Sequence, residues 1–269
     1  MTLSIAIAGV AGRMGGALIR AASEAAQEIR IVGGTERAGS AALGVDLGAI
    51  ARTRAVGVAA TDNVRAAAAE ADIWLDFTAP EATLAALDAL PATRVRAAVI
   101  GTTGLSPEQE RRIADAGKRI AIVRSGNFSL GVNLLASLVR EAAAKLGAGW
   151  DIEIIETHHH RKIDAPSGTA LLLGEAAAEG RGAPLADLRL PPHDGVTGAR
   201  PDGRIGFAAI RGGGIVGEHE VMFAAEREVV RLSHQALDRA VFADGALTAA
   251  IWAADKPPGL YSMRDVLGL

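Results

Sequence analysis

From Leu3 to Arg124 the chain repeats one pattern: a short apolar run, a glycine-rich or polar loop, then a stretch with helical spacing. Leu3-Ser4-Ile5-Ala6-Ile7-Ala8 leads into Gly9-Val10-Ala11-Gly12-Arg13-Met14-Gly15 and an amphipathic helix predicted to run to about Ala26. Ile29–Gly33, Ile73–Phe77, Ala97–Ile100 and Ile120–Val123 repeat the apolar run. Each apolar run is of strand length, and a polar or glycine-rich loop sits at its carboxyl end. The alternation predicts an open α/β sheet whose ligands bind at the carboxyl ends of its strands. Pro80 is placed to open the helix after the third run. The alanine run Ala66–Ala69 is read as helix surface.

Each loop after a strand is a candidate site. Gly9, Val10, Ala11, Gly12, Arg13 and Met14 form a glycine turn that lets a pyrophosphate approach a helix start. A glycine turn alone also serves packing, so its context matters. The second apolar run ends near Glu36-Arg37. An acidic residue there suits the hydroxyls of an adenine ribose, which favours NADH. Arg37 suits a 2′-phosphate, which favours NADPH, or stacks on adenine. Each loop further along, Gly101-Thr102-Thr103-Gly104 and Ser125-Gly126-Asn127-Phe128, reads by itself as an ordinary strand-to-helix turn.

The densest chemistry lies at Glu156-Thr157-His158-His159-His160-Arg161-Lys162-Ile163-Asp164-Ala165-Pro166-Ser167-Gly168-Thr169-Ala170. In a strand, His158 and His160 would share a face and His159 would point away. A metal site is the weaker reading: the chain has no cysteine, and Arg161 and Lys162 would repel a cation. A solvated polar loop is the other bland reading. The stretch from Asp164 reads as a turn into a helix starting near Thr169, and a helix start attracts anions. Clustered cations beside a helix start fit a small dianionic substrate that is held by charge and then protonated.

Beyond Phe128 the pattern changes. A long helix is predicted over Leu130–Leu146, then strands at Asp151–Ile154, Ile205–Ile210, Val221–Ala224 and Glu228–Leu232. Leu190–Gly203 reads as a loop, and Asp238–Ala253 as a helix. Clustered strands imply a separate sheet. The expected architecture is therefore a Rossmann-type dinucleotide-binding domain with a second α+β domain built on a mixed or antiparallel sheet.

Composition narrows the class. With 269 residues, a net charge of −3 and no cysteine, the chain has room for two modest domains and no disulfide framework. Nothing in the charge suggests nucleic acid. No apolar run is long enough for a bilayer, and the start lacks a secretion signal. A cytoplasmic enzyme is expected.

The segment from Glu156 to Ala170 resembles the signature of the 4-hydroxy-tetrahydrodipicolinate reductase (dihydrodipicolinate reductase) family, Glu-x-His-His-x-x-Lys-x-Asp-Ala-Pro-Ser-Gly-Thr-Ala. Gly9–Gly15 resembles its Gly-x-x-Gly-Arg-Met-Gly turn. Arg211–His219 and Ser262–Leu267 resemble further family stretches, with Gly214 where many members carry Asp. The resemblance covers nearly the whole chain. It implies reduction of 4-hydroxy-tetrahydrodipicolinate to tetrahydrodipicolinate by NADPH or NADH, with loss of water. His158 would donate the proton, and Lys162 would bind a carboxylate and steady developing charge. His159, Gly168 and Thr169 would hold carboxylates; His160 falls on a variable position. Gly101, Thr102, Thr103, Ser125, Gly126, Asn127 and Phe128 would surround the nicotinamide. The nucleotide domain would be discontinuous, 1–128 with 238–269, and 129–237 would bind substrate and assemble a homotetramer. Linkers near 127 and 235 would form a hinge. Two other readings are an aspartate or homoserine type dehydrogenase, which would not need His-His-x-x-Lys, and a non-catalytic NAD(P) sensor.

Overall fold

Leu3–Ala8 forms β1, buried at every residue, and Arg13–Glu24 forms α1. Ile29–Thr35 is β2, followed by short helices α2 (Leu47–Ala51) and α3 (Val64–Ala68). β3 (Ile73–Asp76), α4 (Pro80–Ala89), β4 (Ala97–Ile100), α5 (Pro107–Ala116) and β5 (Ala121–Arg124) continue the alternation. Next come α6 (Leu130–Leu146), β6 (Asp151–His158), α7 (Gly168–Gly180) and α8 (Leu185–Leu188). β7 (Ile205–Arg211), β8 (Gly217–Ala224) and β9 (Val229–Ala236) precede α9 (Ala240–Ala253), β10 (Gly259–Tyr261) and α10 (Met263–Leu267). This computed structural model describes residues 2–25 and 29–269, so the expected helix end near Ala26 lies outside the described residues. The chain divides into two units, Met1–Leu130 with Ala240–Gly268, and Gly131–Arg239.

The first unit is a parallel sheet in the order β10-β5-β4-β3-β1-β2. Side chains alternate across a strand, and both faces are covered. Ile5, Ile7, Leu75, Val99 and Val123 pack with Leu18 and Ile19 of α1 and the alanines of α9. Ala6, Trp74, Ala98, Ile100 and Ile122 face Ala67 of α3, Leu84 and Leu87 of α4 and Ile113 of α5. The reading of Ala66–Ala69 as helix surface is corrected here: Ala67 and Ala68 are buried. A side chain at Gly33 of β2 would meet the Ala67 carbonyl oxygen at 1.8 Å, so helix and strand approach closely and only small residues fit. The strand order reverses between β1 and β3, which opens the ligand crevice of such sheets at their carboxyl ends.

The second unit carries a mixed sheet in the order β7-β6-β8-β9, with β7 parallel to β6 and the other pairs antiparallel. Ile152, Ile154, Ile205, Val221 and Phe223 pack on Leu135 and Val139 of α6 and Ala170, Leu173 and Ala177 of α7. The covered face continues through Glu156, His158 and His219, all buried. Three strands run longer than the sequence suggests: β6 reaches His158, β8 starts at Gly217 and β9 continues to Ala236. Polar residues at inward positions hid the first two extensions, because their burial depends on partners from other strands.

Candidate active site

In the first unit, the sequence-predicted cofactor residues lie at the carboxyl ends of parallel strands, in the turns these open into, or, for Arg13 and Met14, at the start of α1. Gly9 sits at φ +66°, a left-handed conformation that side chains disfavour. A Cβ at Gly15 would lie 2.2 Å from the Gly9 carbonyl oxygen, so the turn packs directly on α1. Gly12 caps α1 with no side-chain hydrogen bond to the helix start. A bare helix start of this kind is a ready anion site. Glu36 braces the turn: its Oε2 accepts from the Ala11 N–H at 3.0 Å and its Oε1 from the Arg37 N–H at 3.0 Å. Arg13 and Arg37 are exposed, while Met14 is half-buried.

The later loops are held from beneath. Asp76, at the end of β3 and 1% exposed, has no cationic partner within hydrogen-bond reach among the described residues. Its Oδ1 accepts from the Thr78 N–H and hydroxyl at 3.1 and 2.6 Å, and from the hydroxyls of Thr83 at 3.0 Å and Thr102 at 3.3 Å. The Trp74 indole N–H donates to Oδ2 at 3.2 Å. One carboxylate thus ties together the loops after β3 and β4. Ser125 Oγ donates to the Asn127 carbonyl at 2.6 Å and accepts the Asn127 N–H, and Asn127 Oδ1 accepts the Ser129 N–H, which folds the loop after β5 on itself. Val10, Thr102 and Phe128 turn their side chains into the core, where Phe128 packs edge-on to Phe77. Any ligand contact from these three falls to their backbone. Gly101, Thr103 and Gly126 remain at least partly accessible.

In the second unit, β6 ends at His158, and His160 enters a turn, so the expected strand face shared by His158 and His160 does not form. Among the described residues no group of His, Asp and Glu could hold a metal ion. His158 Nδ1 lies 2.5 Å from Glu156 Oε2. Arg211 Nη1 donates to that oxygen at 2.8 Å and Nη2 to Oε1 at 2.7 Å, while the Ser167 N–H donates to Oε1 at 3.0 Å. Burial pushes the Glu156 carboxyl up, but Arg211 and His158 outweigh it and hold it below the usual range. The His219 ring stands edge-on to His158 at 5.1 Å, and its Nε2 pairs with Ser167 Oγ at 3.0 Å. Burial, reinforced by His158, pushes His219 down to about 4, so it is neutral near neutral pH.

Lys162 donates to both carboxylate oxygens of Asp164 at 2.8 Å, which holds the Asp164 carboxyl below its ordinary range. His159 Nε2 accepts from Arg239 at 3.0 Å, and burial with the charges of Arg161 and Arg239 pushes its pKa down. Ser167 caps α7 by accepting the Ala170 N–H at 3.1 Å. Gly168 and Thr169 are the first two residues of that helix, at the positive end of its dipole. Sequence reasoning named the motif but missed Glu156, Ser167, Arg211, His219 and Arg239 as site residues. Glu156 and Ser167 lie within the motif, whereas Arg211 and His219 arrive from β7 and β8. The available signal was a charged residue at an inward strand position.

A doubly wound parallel sheet with a glycine turn braced by Glu36, joined to a mixed-sheet unit with a buried Glu–His pair, defines a two-unit NAD(P)H-dependent oxidoreductase. Comparison with known proteins carries this further. Residues 3–128 match the family described as dihydrodipicolinate reductase, N-terminus, and residues 131–267 its C-terminus. A 4-hydroxy-tetrahydrodipicolinate reductase of Cereibacter sphaeroides is 53% identical over 266 residues, covering 98% of both chains. One from Rhizobium meliloti is 52% identical over 268 residues, covering 99% of this chain and 98% of the relative. The structure resembles dipicolinate-bound dihydrodipicolinate reductase from Paenisporosarcina sp. TG-14, with a TM-score of 0.77, 24% identity and coverage of 97% and 98%. The chain belongs to the dihydrodipicolinate reductase family. Its reaction is the NAD(P)H-dependent reduction of 4-hydroxy-tetrahydrodipicolinate in lysine biosynthesis, which removes the aspartate or homoserine dehydrogenase and sensor readings.

Proposed function

We propose that His158 is the proton donor and Lys162 the principal carboxylate ligand of this reduction. NADH or NADPH, when bound, supplies the hydride. Hydride addition to a conjugated imine leaves negative charge on the ring, and a positioned acid must quench it. The observation that carries the assignment is the buried pairing of His158 with Glu156, whose other oxygen takes the Ser167 N–H at the start of α7. Lys162 exchanges its Asp164 partner for a substrate carboxylate and then steadies the developing charge. His159, kept neutral and oriented by Arg239, and the α7 start at Gly168 and Thr169 complete the dicarboxylate site.

The residues of the first unit fit the cofactor. The turn Gly9–Met14 and the bare α1 start would take the pyrophosphate; each Glu36 oxygen has a lone pair left for a ribose hydroxyl. Arg37 would pair with a 2′-phosphate or stack on adenine. Gly101, Thr103, Ser125, Gly126 and Asn127, with the backbone of Val10, Thr102 and Phe128, would line the nicotinamide side. Residues 1–128 with 238–269 would thus be the nucleotide domain, and 129–237 the substrate domain.

The second sheet has helices on one face only. Its other face carries Ile155, Met222, Ile210 and Val229 among paired polar groups, Arg231 on Glu220 and Gln235 on Glu218. A self-complementary mixture of this kind suits a second copy of the same sheet, and we assign it to homotetramer assembly in the cytoplasm. A monomeric mass by light scattering at micromolar concentration would overturn that. The catalytic assignment is tested by following NADPH oxidation with freshly made product of the preceding synthase. It fails if a His158→Ala, Lys162→Ala double variant turns over at near the wild-type rate.

A further inference from the structure

Residues two apart on a strand share a face, so Glu156 and His158 stand side by side on β6. Glu156 is 1% exposed. A buried carboxylate persists in its charged form only when paired and hydrogen-bonded. Arg211 spans both of its oxygens from β7, and the Ser167 N–H adds a third donor. An ionised carboxylate only accepts hydrogen bonds. Nδ1 of His158 must therefore be the donor in the 2.5 Å contact, which fixes the tautomer and leaves Nε2 as the working nitrogen. A methyl at Gly217 would sit 3.1 Å from Nε2, so the glycine there leaves that nitrogen room.

The charged and titratable groups around His158 are Glu156 on its own strand, Arg211 on β7, His219 on β8, and His159 and Lys162 on the following loop. Of these, only Glu156 is an anion in contact with the ring. The same carboxylate reaches Ser167, the cap of α7. One buried group therefore touches both the proton donor and the start of the helix that is to hold a carboxylate.

We propose that Glu156 is a positioning residue: it orients His158 through Nδ1, while Arg211 keeps Glu156 in place. Glu156 itself transfers no proton, because Arg211 and Ser167 occupy it on both oxygens. The proposal rests on His158 being the proton donor.

The test is Glu156→Gln in the full-length enzyme, which keeps the shape and removes the charge. Turnover is expected to fall by about tenfold to a hundredfold, less than the loss of the acid itself, which supplies on the order of 10²–10⁴. The KM for NADPH should stay at the wild-type value. In ¹⁵N-histidine spectra, His158 should lose its single Nδ1–H form, and Glu156→Asp should restore part of both effects. An unchanged His158 spectrum overturns the proposal. If His158→Ala keeps near wild-type turnover, the donor assignment fails instead, and the spectrum still reports whether Glu156 holds the ring. Should Glu156→Gln not fold, Arg211→Lys keeps the charge but loses the fork. A smaller spectral change in the same direction supports the clamp, and an unchanged spectrum overturns it.

Discussion

The two units prepare for their ligands by different means. In the first, the turn around Gly9 offers backbone: a left-handed glycine, a helix start without a side-chain cap, and loops tied down from below by the buried carboxylate of Asp76. In the second, the segment after β6 offers side-chain charge, with Glu156 bracketed by Arg211 and His158, and Lys162 held by Asp164. Backbone donors suit a cofactor whose phosphates stay the same through the reaction. Charged and titratable side chains suit a substrate whose charge changes during it.

The comparison breaks first, and most visibly, at the second unit. Lys162→Ala and His158→Ala are each expected to lower turnover by about two orders of magnitude or more, as for loss of an acid or of charge stabilisation. Cofactor dissociation constants should barely move. A matching loss of NADPH affinity would mean that the units do not divide the labour in this way.

Gly15→Ala strikes the other side. The new methyl would lie 2.2 Å from the Gly9 carbonyl oxygen, a backbone atom with nowhere to go. A destabilisation of about 3 kcal/mol is expected, with loss of both cofactors together. Thermal unfolding and cofactor titration of the variant measure it; an unchanged Tm would show that the turn is less tightly packed than described.

Protonation sharpens the contrast. His219 has its pKa lowered by burial from 6.5 to about 4. Between those values the unfolded chain binds more protons than the folded one, so stability rises with pH across that window and is lost as pH falls through it. The contribution is of order 2–3 kcal/mol. Denaturation midpoints at the two ends of the window should differ less in His219→Gln than in wild type. Equal slopes would remove His219 as the cause.

The smallest effect concerns cofactor choice. Arg37→Ala should weaken NADPH more than NADH by about 1–2 kcal/mol, a lost charged hydrogen bond on an exposed side chain. Glu36→Ala should tilt preference toward NADPH while loosening the turn, since Ala11 loses its acceptor. If the NADPH/NADH ratio is unchanged in Arg37→Ala, stacking on adenine survives and phosphate pairing does not.

Most of the first sheet was legible because its strands are short, mainly apolar runs that each end in a polar or glycine-rich loop; Ala97–Ile100, apolar and buried at every residue, shows this best. β10 escaped, since Gly259–Tyr261 is short and lies at the sheet edge beside β5. In the second unit the inner halves of β6 and β8 escaped, because Glu156, His158 and His219 do not read as core residues until their partners are known. The motif drew attention to Lys162 and the histidines, but nothing local showed that Asp164 neutralises the lysine.

What the sequence determined by itself is what local chemistry decides: the strand–turn–helix rhythm, the glycines of the first turn and the clustering of cations between Glu156 and Ala170. Tertiary structure alone decided which of those charges are paired. Arg211 lies 55 residues from Glu156 and His219 lies 52 from Ser167, and each meets its partner only because β7 and β8 flank β6. A hydrogen bond depends on distance in space, and sheet order sets that distance while sequence separation does not.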